Sequence, residues 1–206
     1  MQYHHRTSLL WLWSIFLFAA CAPPSPKEET SILPTNLELR PGDIVFRQGT
    51  GLDSRTVMTI DRNSSYSHIG IVVDSAGVPM IVHAVPDEPD FPGDFDRIKM
   101  DSPTIFFLHS RAQIGEVMRP LQQAQAQIAA QTALRLYKKR IPFDHKYDDN
   151  DSTEMYCTEL IDYAFRSAGI ELTHRNKREI GFPFPFKGYF PSDFHASPNL
   201  VSIRIF

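Results

Sequence analysis

The stretch MYCTEL, Met155–Leu160, places a cysteine immediately before a helical pattern. Apolar residues then recur at three- and four-residue spacing, as in the buried stripe of an amphipathic helix: Leu160, Ile161, Ala164, Phe165 and Ala168. Gly169 follows as a typical C-terminal stop. The pattern therefore predicts a helix over residues 156–170, with Asp151, Ser152 or Thr153 as its N-cap.

Cys157 lies in the first turn of this predicted helix. The helix dipole and the backbone N–H groups of a first turn favour a thiolate over a thiol, and the same groups can stabilise an oxyanion. Cysteine is also among the most buried residue types, so simple packing in the core is the alternative interpretation. A nucleophile needs a base, which another part of the chain has to supply.

His68 and His83 lie in the clearest predicted strand pair, YSHIGIVVDSAGVPMIVHAVP. Runs rich in β-branched residues at 69–73 and 80–85 flank the turn SAG, which predicts a β-hairpin. Residues equidistant from such a turn face each other, so both imidazoles can lie on one face of the ladder. His68 is then a candidate base and His83 a candidate orienting group. A histidine that is merely hydrogen-bonded to a loop is the ordinary alternative.

The remaining pattern predicts further short strands and one long helix. One short strand is predicted to begin at Ile44, and others to cover residues 98–100, residues 115–119 and the C-terminal LVSIRIF. A long helix is predicted over residues 121–140. The segment LDSRTVMTID is ambiguous and reads as a helix capped by Asp53 or Ser54. Together these elements predict an α+β domain.

The motifs PGDIVF, SHIGIV, VHAV and YCTELI, in this order, resemble the permuted papain-like hydrolases of the NlpC superfamily, in the YiiX-type branch, where histidine precedes cysteine. The resemblance extends from about Leu39 to Leu200 and includes FPSDFHASPNL. It implies a circularly permuted papain-like α+β fold, with a small antiparallel sheet or barrel packed against helices and the nucleophile at a helix N-terminus.

The resemblance also implies roles for individual residues. Cys157 matches the family nucleophile and His68 its general base, while His83 stands where this branch often has a glutamate. Tyr156 and Tyr66 are the predicted substrate-binding residues. The implied reaction is amide hydrolysis through an acyl-enzyme, with no cofactor.

The N-terminal residues read as an export signal. Basic residues precede the apolar run Leu9–Ala20, which is too short to be a stable membrane span. The sequence LFAAC resembles a lipobox, which predicts lipidation of Cys21, with ordinary cleavage after Ala22 as the alternative. The predicted organisation is a signal peptide (residues 1–20), a lipidated linker (21–37) and a hydrolase domain (38–206). The expected location is the bacterial cell envelope, with a membrane anchor.

Composition narrows the choice of partners. A net charge of −3 with a pI near 6.2 gives no basic field for nucleic acid. The expected substrate is a small peptide or acyl amide, with peptidoglycan fragments suggested by the exported location. Two alternatives stay open: a lipid amidase or acyltransferase, as in lecithin:retinol acyltransferase-type proteins, and a surface-tethered binding protein without catalysis.

No metal site is predicted. A calcium-loop template fits Asp148, Asn150, Ser152 and Glu159, but Thr153 occupies the position that requires glycine. The histidines show no short zinc-binding spacing.

Overall fold

The computed structural model describes residues 29–61, 64–147, 152–181 and 186–206. The predicted signal peptide, Cys21, Asp148 and Asn150 lie outside these ranges. The strands are β1 (Ile44–Gln48), β2 (His68–Ser75), β3 (Val78–Val85), β4 (Arg97–Asp101), β5 (Ile114–Pro120), β6 (Arg178–Ile180), β7 (Phe186–Gly188) and β8 (Leu200–Ile205). The helices are α1 (Leu52–Ile60), α2 (Pro103–Phe106), α3 (Gln123–Lys138), α4 (Cys157–Ser167) and α5 (Pro191–His195).

An antiparallel sheet with the strand order β4-β3-β2-β1-β5-β8 forms the centre of the fold, and β6 and β7 form a separate hairpin. The predicted hairpin is confirmed: β2 and β3 pair through the turn at Ala76 and Gly77, with Ser75 opposite Val78. β-branched residues of the two strands face each other, as in Ile71 opposite Val82 and Val72 opposite Ile81, and such pairs stabilise the ladder.

The two faces of the sheet differ in what covers them. On one face, alternate residues of β2 (Ile69, Ile71 and Val73) join the large apolar core that includes the buried stripes of α3 and α4. On the other face, Val72 belongs to a smaller cluster with Phe106 and Phe107 at α2. The fold is therefore the predicted α+β arrangement of an antiparallel sheet packed against helices.

Helix caps and the C-terminal region differ from the sequence predictions. Gly51 is the N-cap of α1 and Tyr156 that of α4, each without a side-chain capping bond, so the predicted caps at Asp53, Ser54, Ser152 and Thr153 are wrong. The aromatic, proline-rich segment contains β7 and α5, where the Asp193 carboxylate accepts the Phe190 backbone N–H at 2.8 Å. In the described part of the chain, no helix combines the length and apolar character needed to cross a bilayer.

Candidate active site

Cys157 is the first residue of α4, and His68 is the first residue of β2. Because α4 packs on β2, the two element ends meet, and both residues line one cavity of about 600 Å³. The Thr158 hydroxyl donates to the Tyr189 carbonyl at 2.7 Å and so fixes the first turn of α4 against the segment before α5. Cys157 is a free, partly buried thiol.

Opposing effects act on the acidity of Cys157. Burial raises the pKa of the thiol to about 11, against smaller lowering effects from the backbone N–H groups of Ile69 and Thr158 and from the charge of Arg47. The helix-start effect expected from the sequence is present, but desolvation outweighs it. At neutral pH the resting group is therefore a thiol rather than a thiolate.

A chain of hydrogen bonds leads from His68 into the protein. His68 Nε2 lies 2.9 Å from His83 Nδ1, and His83 Nε2 lies 3.2 Å from Asp101 Oδ2. All three side chains are buried. Gly70 makes room for this arrangement, because a Cβ at that position would lie 3.3 Å from His83 Cβ and 2.8 Å from Ile81 Cγ2.

The carboxylate of Asp101 determines which ring nitrogens carry protons. An ionised carboxylate only accepts hydrogen bonds, so His83 Nε2 donates, and the Nδ1 of a neutral His83 must then accept. His68 Nε2 is consequently the donor to His83. The lone pair of a neutral His68 is left on Nδ1, which is the nitrogen able to take a proton from a thiol.

The pKa directions agree with this assignment. Burial lowers the pKa of His68 well below its ordinary value, and the nearby charges of Arg47 and His83 lower it further. Burial also lowers the pKa of His83, against the effect of Asp101. Burial alone would raise the pKa of Asp101, but the His83 hydrogen bond and the cations Lys99 and Arg111 hold it well below its usual range. The chain of hydrogen bonds thus runs through two neutral imidazoles to an ionised carboxylate.

Two arginines and a second carboxylate close a ring around this chain. Arg111 Nη1 binds Asp101 and Glu88, each at 2.8 Å, and the other Glu88 oxygen binds Arg47. Arg47 stands opposite His68 in the pairing of β1 with β2 and donates to the Phe106 carbonyl at 2.8 Å. The buried guanidinium of Arg47 is therefore held by an ion pair and a backbone contact.

The aromatic side chain of Phe106 lies among the side chains of His68, His83 and Arg47. It stacks on His68 at a centroid distance of 5.7 Å and meets His83 edge-on at 5.0 Å. The Arg47 guanidinium lies 4.5 Å from its centroid. Contact on three sides restricts the rotamers of both imidazoles, which orients His68 before any substrate binds.

The family described as permuted papain-like amidase enzyme, YaeF/YiiX, C92 family, matches residues 38–180. The chain belongs to this family. The fold is similar to that of a solved structure described as the metalloprotein yiiX from Escherichia coli O157:H7, with a TM-score of 0.64 and 19% identity over 80% of this chain and 96% of that one. No curated protein matches the chain significantly.

The predicted site residues of this C92 family member fall in two places. Cys157, His68 and His83 are brought together as described, and Tyr156 lines the same cavity as Cys157. Tyr66 is not among the residues that line the cavity: its hydroxyl donates to Glu116 Oε2 at 2.6 Å, and its ring packs on Phe46. Tyr66 precedes the first residue of β2, so the alternation of side chains between the two faces of the sheet does not extend to it.

Sequence reasoning missed Asp101, Glu88, Arg47 and Arg111. β4 pairs with β3 so that Lys99 lies opposite His83. Asp101 lies two residues further along β4 and therefore on the same face of the sheet, which is the signal that could have indicated it. The eleven-residue connection between β3 and β4, residues 86–96, hid that register. Glu88 lies within this connection, where no periodic pattern predicts direction.

Proposed function

We propose that this C92 family member is a cysteine amidase in which Cys157 is the nucleophile and His68 the general base. The observation that carries the proposal is the His68–His83–Asp101 chain, which directs the lone pair of His68 Nδ1 away from the buried carboxylate. The shared cavity of Cys157 and His68 and the family's description as amidases support it.

The reaction starts with transfer of the Cys157 proton to His68 Nδ1 as the sulfur attacks the amide carbonyl carbon. Collapse of the tetrahedral intermediate breaks the C–N bond, and the leaving amine takes the proton from His68. A water molecule then gives a proton to His68, attacks the thioester and releases the carboxylic acid together with the Cys157 thiol.

The resting protonation states make His68 a general base rather than half of a standing ion pair. Because the pKa of the thiol is raised and that of the imidazole is lowered, the proton stays on the sulfur in the ground state. Substrate attack and proton transfer therefore proceed together, and the imidazolium that forms is stabilised through His83 by Asp101.

The start of α4 provides the oxyanion site. The N-cap residue, Tyr156, makes no side-chain capping bond to the first turn. The backbone N–H groups of Cys157 and Thr158 are directed at the sulfur. They would therefore lie close to the oxygen of a carbonyl group that the sulfur attacks. Such groups, aligned with the helix dipole, stabilise a developing negative charge.

Within the described ranges, the one cluster of potential metal ligands does not fit a metal ion. The yiiX structure is described as a metalloprotein, and here ligand atoms of His83, Glu88 and Asp101 lie within 4.8 Å of one another. Every one of these side chains already has a partner, and the guanidinium groups of Arg47 and Arg111 supply the compensating charge. No step of the reaction is therefore assigned to a metal.

We further propose that the protein acts at the cell envelope, tethered through a lipid on Cys21, on a peptide or an acyl amide. The support is the N-terminal sequence alone, an apolar run followed by LFAAC. Replacement of Cys21 by alanine should release the protein from membranes and stop incorporation of labelled palmitate. Unchanged membrane association and labelling would contradict the tether.

The central test compares Asp101→Asn with Asp74→Asn, a control in the exposed hairpin turn. Defined peptidoglycan fragments and N-acyl amino acids are the probes, with products read by mass spectrometry. Cys157→Ala should abolish turnover. Asp101→Asn should lower kcat by about 10²–10⁴-fold with a much smaller change in KM, because the wrong histidine tautomer becomes available.

Nitrogen-15 NMR of the imidazoles separates a tautomer effect from simple misfolding. The wild type should show the proton of His68 on Nε2, and the Asp101→Asn variant should lose this preference while the fold is kept. A Cys157→Ala variant that still turns over the probes would refute the amidase proposal. An unchanged His68 tautomer and an unchanged rate in Asp101→Asn would show that Asp101 does not determine the tautomer of His68.

A further inference from the structure

Phe106, which contacts both imidazoles of the candidate site, is itself packed against a column of aromatic rings. Its ring meets that of Phe107 edge-on at a centroid distance of 4.8 Å, and Phe107 meets the ring of Phe206 edge-on at 4.9 Å. Phe106 and Phe107 are fully buried. The three rings therefore form a continuous column that ends at His68 and His83. We name these three residues the aromatic column.

Phe206 closes the outer end of the aromatic column. Its N–H donates to the Gly115 carbonyl at 2.9 Å, and its carbonyl accepts the Gly115 N–H at 2.7 Å. A Cβ at position 115 would lie 2.7 Å from Cζ of Phe206 and 2.8 Å from Cε1 of Phe107. Because glycine leaves this space open, the Phe206 ring can lie directly against Phe107.

A segment that precedes β1, residues 30–33, holds the middle of the column, and we name it the strap. The Phe107 carbonyl accepts the Ile32 N–H at 2.9 Å and the Ser31 hydroxyl at 3.0 Å. The side chains of Ile32 and Leu33 pack against the same apolar cluster as the Phe107 ring. Both the backbone and the ring of Phe107 are thus fixed by residues that are distant in sequence.

The strap and Phe206 lie outside the part of the chain that matches the family, which covers residues 38–180. The inner end of the column nevertheless contacts the proposed base. A close-packed interior transmits displacements, because little free volume is left to absorb them. We propose, building on the amidase assignment above, that the strap and Phe206 are positioning elements, which set the orientation of His68 through Phe107 and Phe106.

This control of orientation is distinct from the control of the tautomer by Asp101. The carboxylate determines which nitrogen of His68 carries the proton, whereas the stacked Phe106 ring restricts the direction of Nδ1. Arg47 acts on the same ring, because its guanidinium lies 4.5 Å from the Phe106 centroid and donates to the Phe106 carbonyl at 2.8 Å. Loss of the outer column should therefore keep the tautomer and misdirect the base, which lowers the rate of proton transfer.

The test compares Phe206→Ala with Leu200→Ala, a buried position at the start of β8 whose side chain packs in the larger core. Turnover of N-acyl amino acids, urea unfolding and NMR of the His68 ring are measured for both variants. Phe206→Ala should lower kcat about tenfold at unchanged KM. It should also move the ring-proton signals of His68, because the stacked Phe106 ring shifts, while the proton stays on Nε2. Leu200→Ala should lower the free energy of unfolding and leave kcat and these signals as in the wild type.

Two milder variants keep the test decisive if Phe206→Ala does not fold. Phe206→Leu retains apolar volume beside Phe107 and should lower kcat less than Phe206→Ala. Ile32→Ala removes packing from the strap and should also lower kcat at unchanged KM and move the His68 signals.

Unmoved His68 signals or a wild-type kcat in these variants would overturn the positioning role. A loss of kcat shared by Leu200→Ala would overturn it as well, because reduced stability would then explain the effect. Failure of the wild type to turn over any probe would instead refute the amidase assignment. The His68 signals alone would in that case decide whether the column reaches this ring.

Discussion

At position 157, the location of the thiol and its acidity oppose each other. The first turn of α4 offers N–H groups and a favourable dipole, and the sequence pattern alone was sufficient to place the cysteine there. The pattern could not show how much of the side chain is desolvated, because that depends on β2 packing over the helix start. Burial therefore reverses the expected direction of the pKa shift.

The raised pKa gives Cys157 a distinctive alkylation profile. The thiolate is the reactive form, so its iodoacetamide rate should rise about tenfold per pH unit above pH 7 and level off only near the pKa of about 11. Mass spectrometry of the peptide that contains Cys157 follows the reaction separately from Cys21. A rate that is already flat between pH 5 and 8 would demonstrate a standing thiolate and contradict the general-base mechanism.

Among the site residues, those within one local pattern were predictable and those held by distant pairing were not. His68 and His83 follow from a single hairpin, where distance from the turn fixes which residues meet. Asp101 depends on the register of β4, and Arg111 lies beyond α2. Tyr66, predicted to bind substrate, lies outside the lining of the cavity and contacts Glu116, because the alternation of β2 begins only at His68.

At the scale of elements, β-branched runs predicted the hairpin, helix-forming composition predicted α3 and apolar periodicity predicted α4, but the end positions of the helices followed other rules. α1 and α4 begin at residues whose side chains make no capping bond, so a search for Ser, Thr, Asp or Asn caps misplaced both. The pair β6–β7 and α5 are short, and contacts between separate elements, such as Arg178 with Asp193 at 2.9 Å, contribute to holding them. Such contacts leave no periodic signal.

The close packing of β2 against β3 at Gly70 predicts the effect of adding a single methyl group at that position. In Gly70→Ala the new Cβ would lie 2.8 Å from Ile81 Cγ2 and 3.2 Å from the Val82 carbonyl oxygen, both on β3. Relief of this overlap moves His83, so the free energy of unfolding should fall by about 1–3 kcal/mol and kcat should fall further than stability alone explains.

Urea unfolding and turnover measured side by side test this expectation. Gly181→Ala is the control, because a Cβ there meets nothing within 4 Å. A Gly70→Ala protein with wild-type stability and rate would show that β3 shifts without disturbing the histidine chain.

At the scale of the whole molecule, the largely buried ring of charges joins segments that are far apart in sequence. Arg47 comes from β1, His83 from β3, Glu88 from the following connection and Asp101 from the end of β4. Each member compensates another, so the ring forms only when the sheet has its final strand order. The fold class could be predicted from strand and helix patterns, but this ring could not.

The neutral, buried imidazoles make the molecule sensitive to mild acid. The folded-state pKa values of His68 and His83 lie below the unfolded value of about 6.5, so below that pH the unfolded chain binds protons that the folded chain does not. The free energy of unfolding should therefore fall as pH drops from 7 to 5, with a slope approaching about 1.4 kcal/mol per pH unit for each imidazole. Asp101 contributes no slope in this window, because its pKa is lowered and its unfolded value is about 3.9.

Urea unfolding at pH 7, 6 and 5 measures this slope. The double variant His68→Gln, His83→Gln should be markedly less sensitive to pH over the window, whatever its stability at pH 7. Equal slopes in the double variant and the wild type would assign the acid sensitivity to other groups.

The position of Cys157 in the cavity that contains His68 has a kinetic consequence. In the proposed mechanism, departure of the amine vacates the part of the cavity that contains His68, while the acyl group stays bound to Cys157. The second reactant must enter by the path along which the first product left, so added amine competes directly with water for the same intermediate. The partition between hydrolysis and exchange is then governed by whichever nucleophile reaches that vacated space first, which is the signature of a double-displacement enzyme.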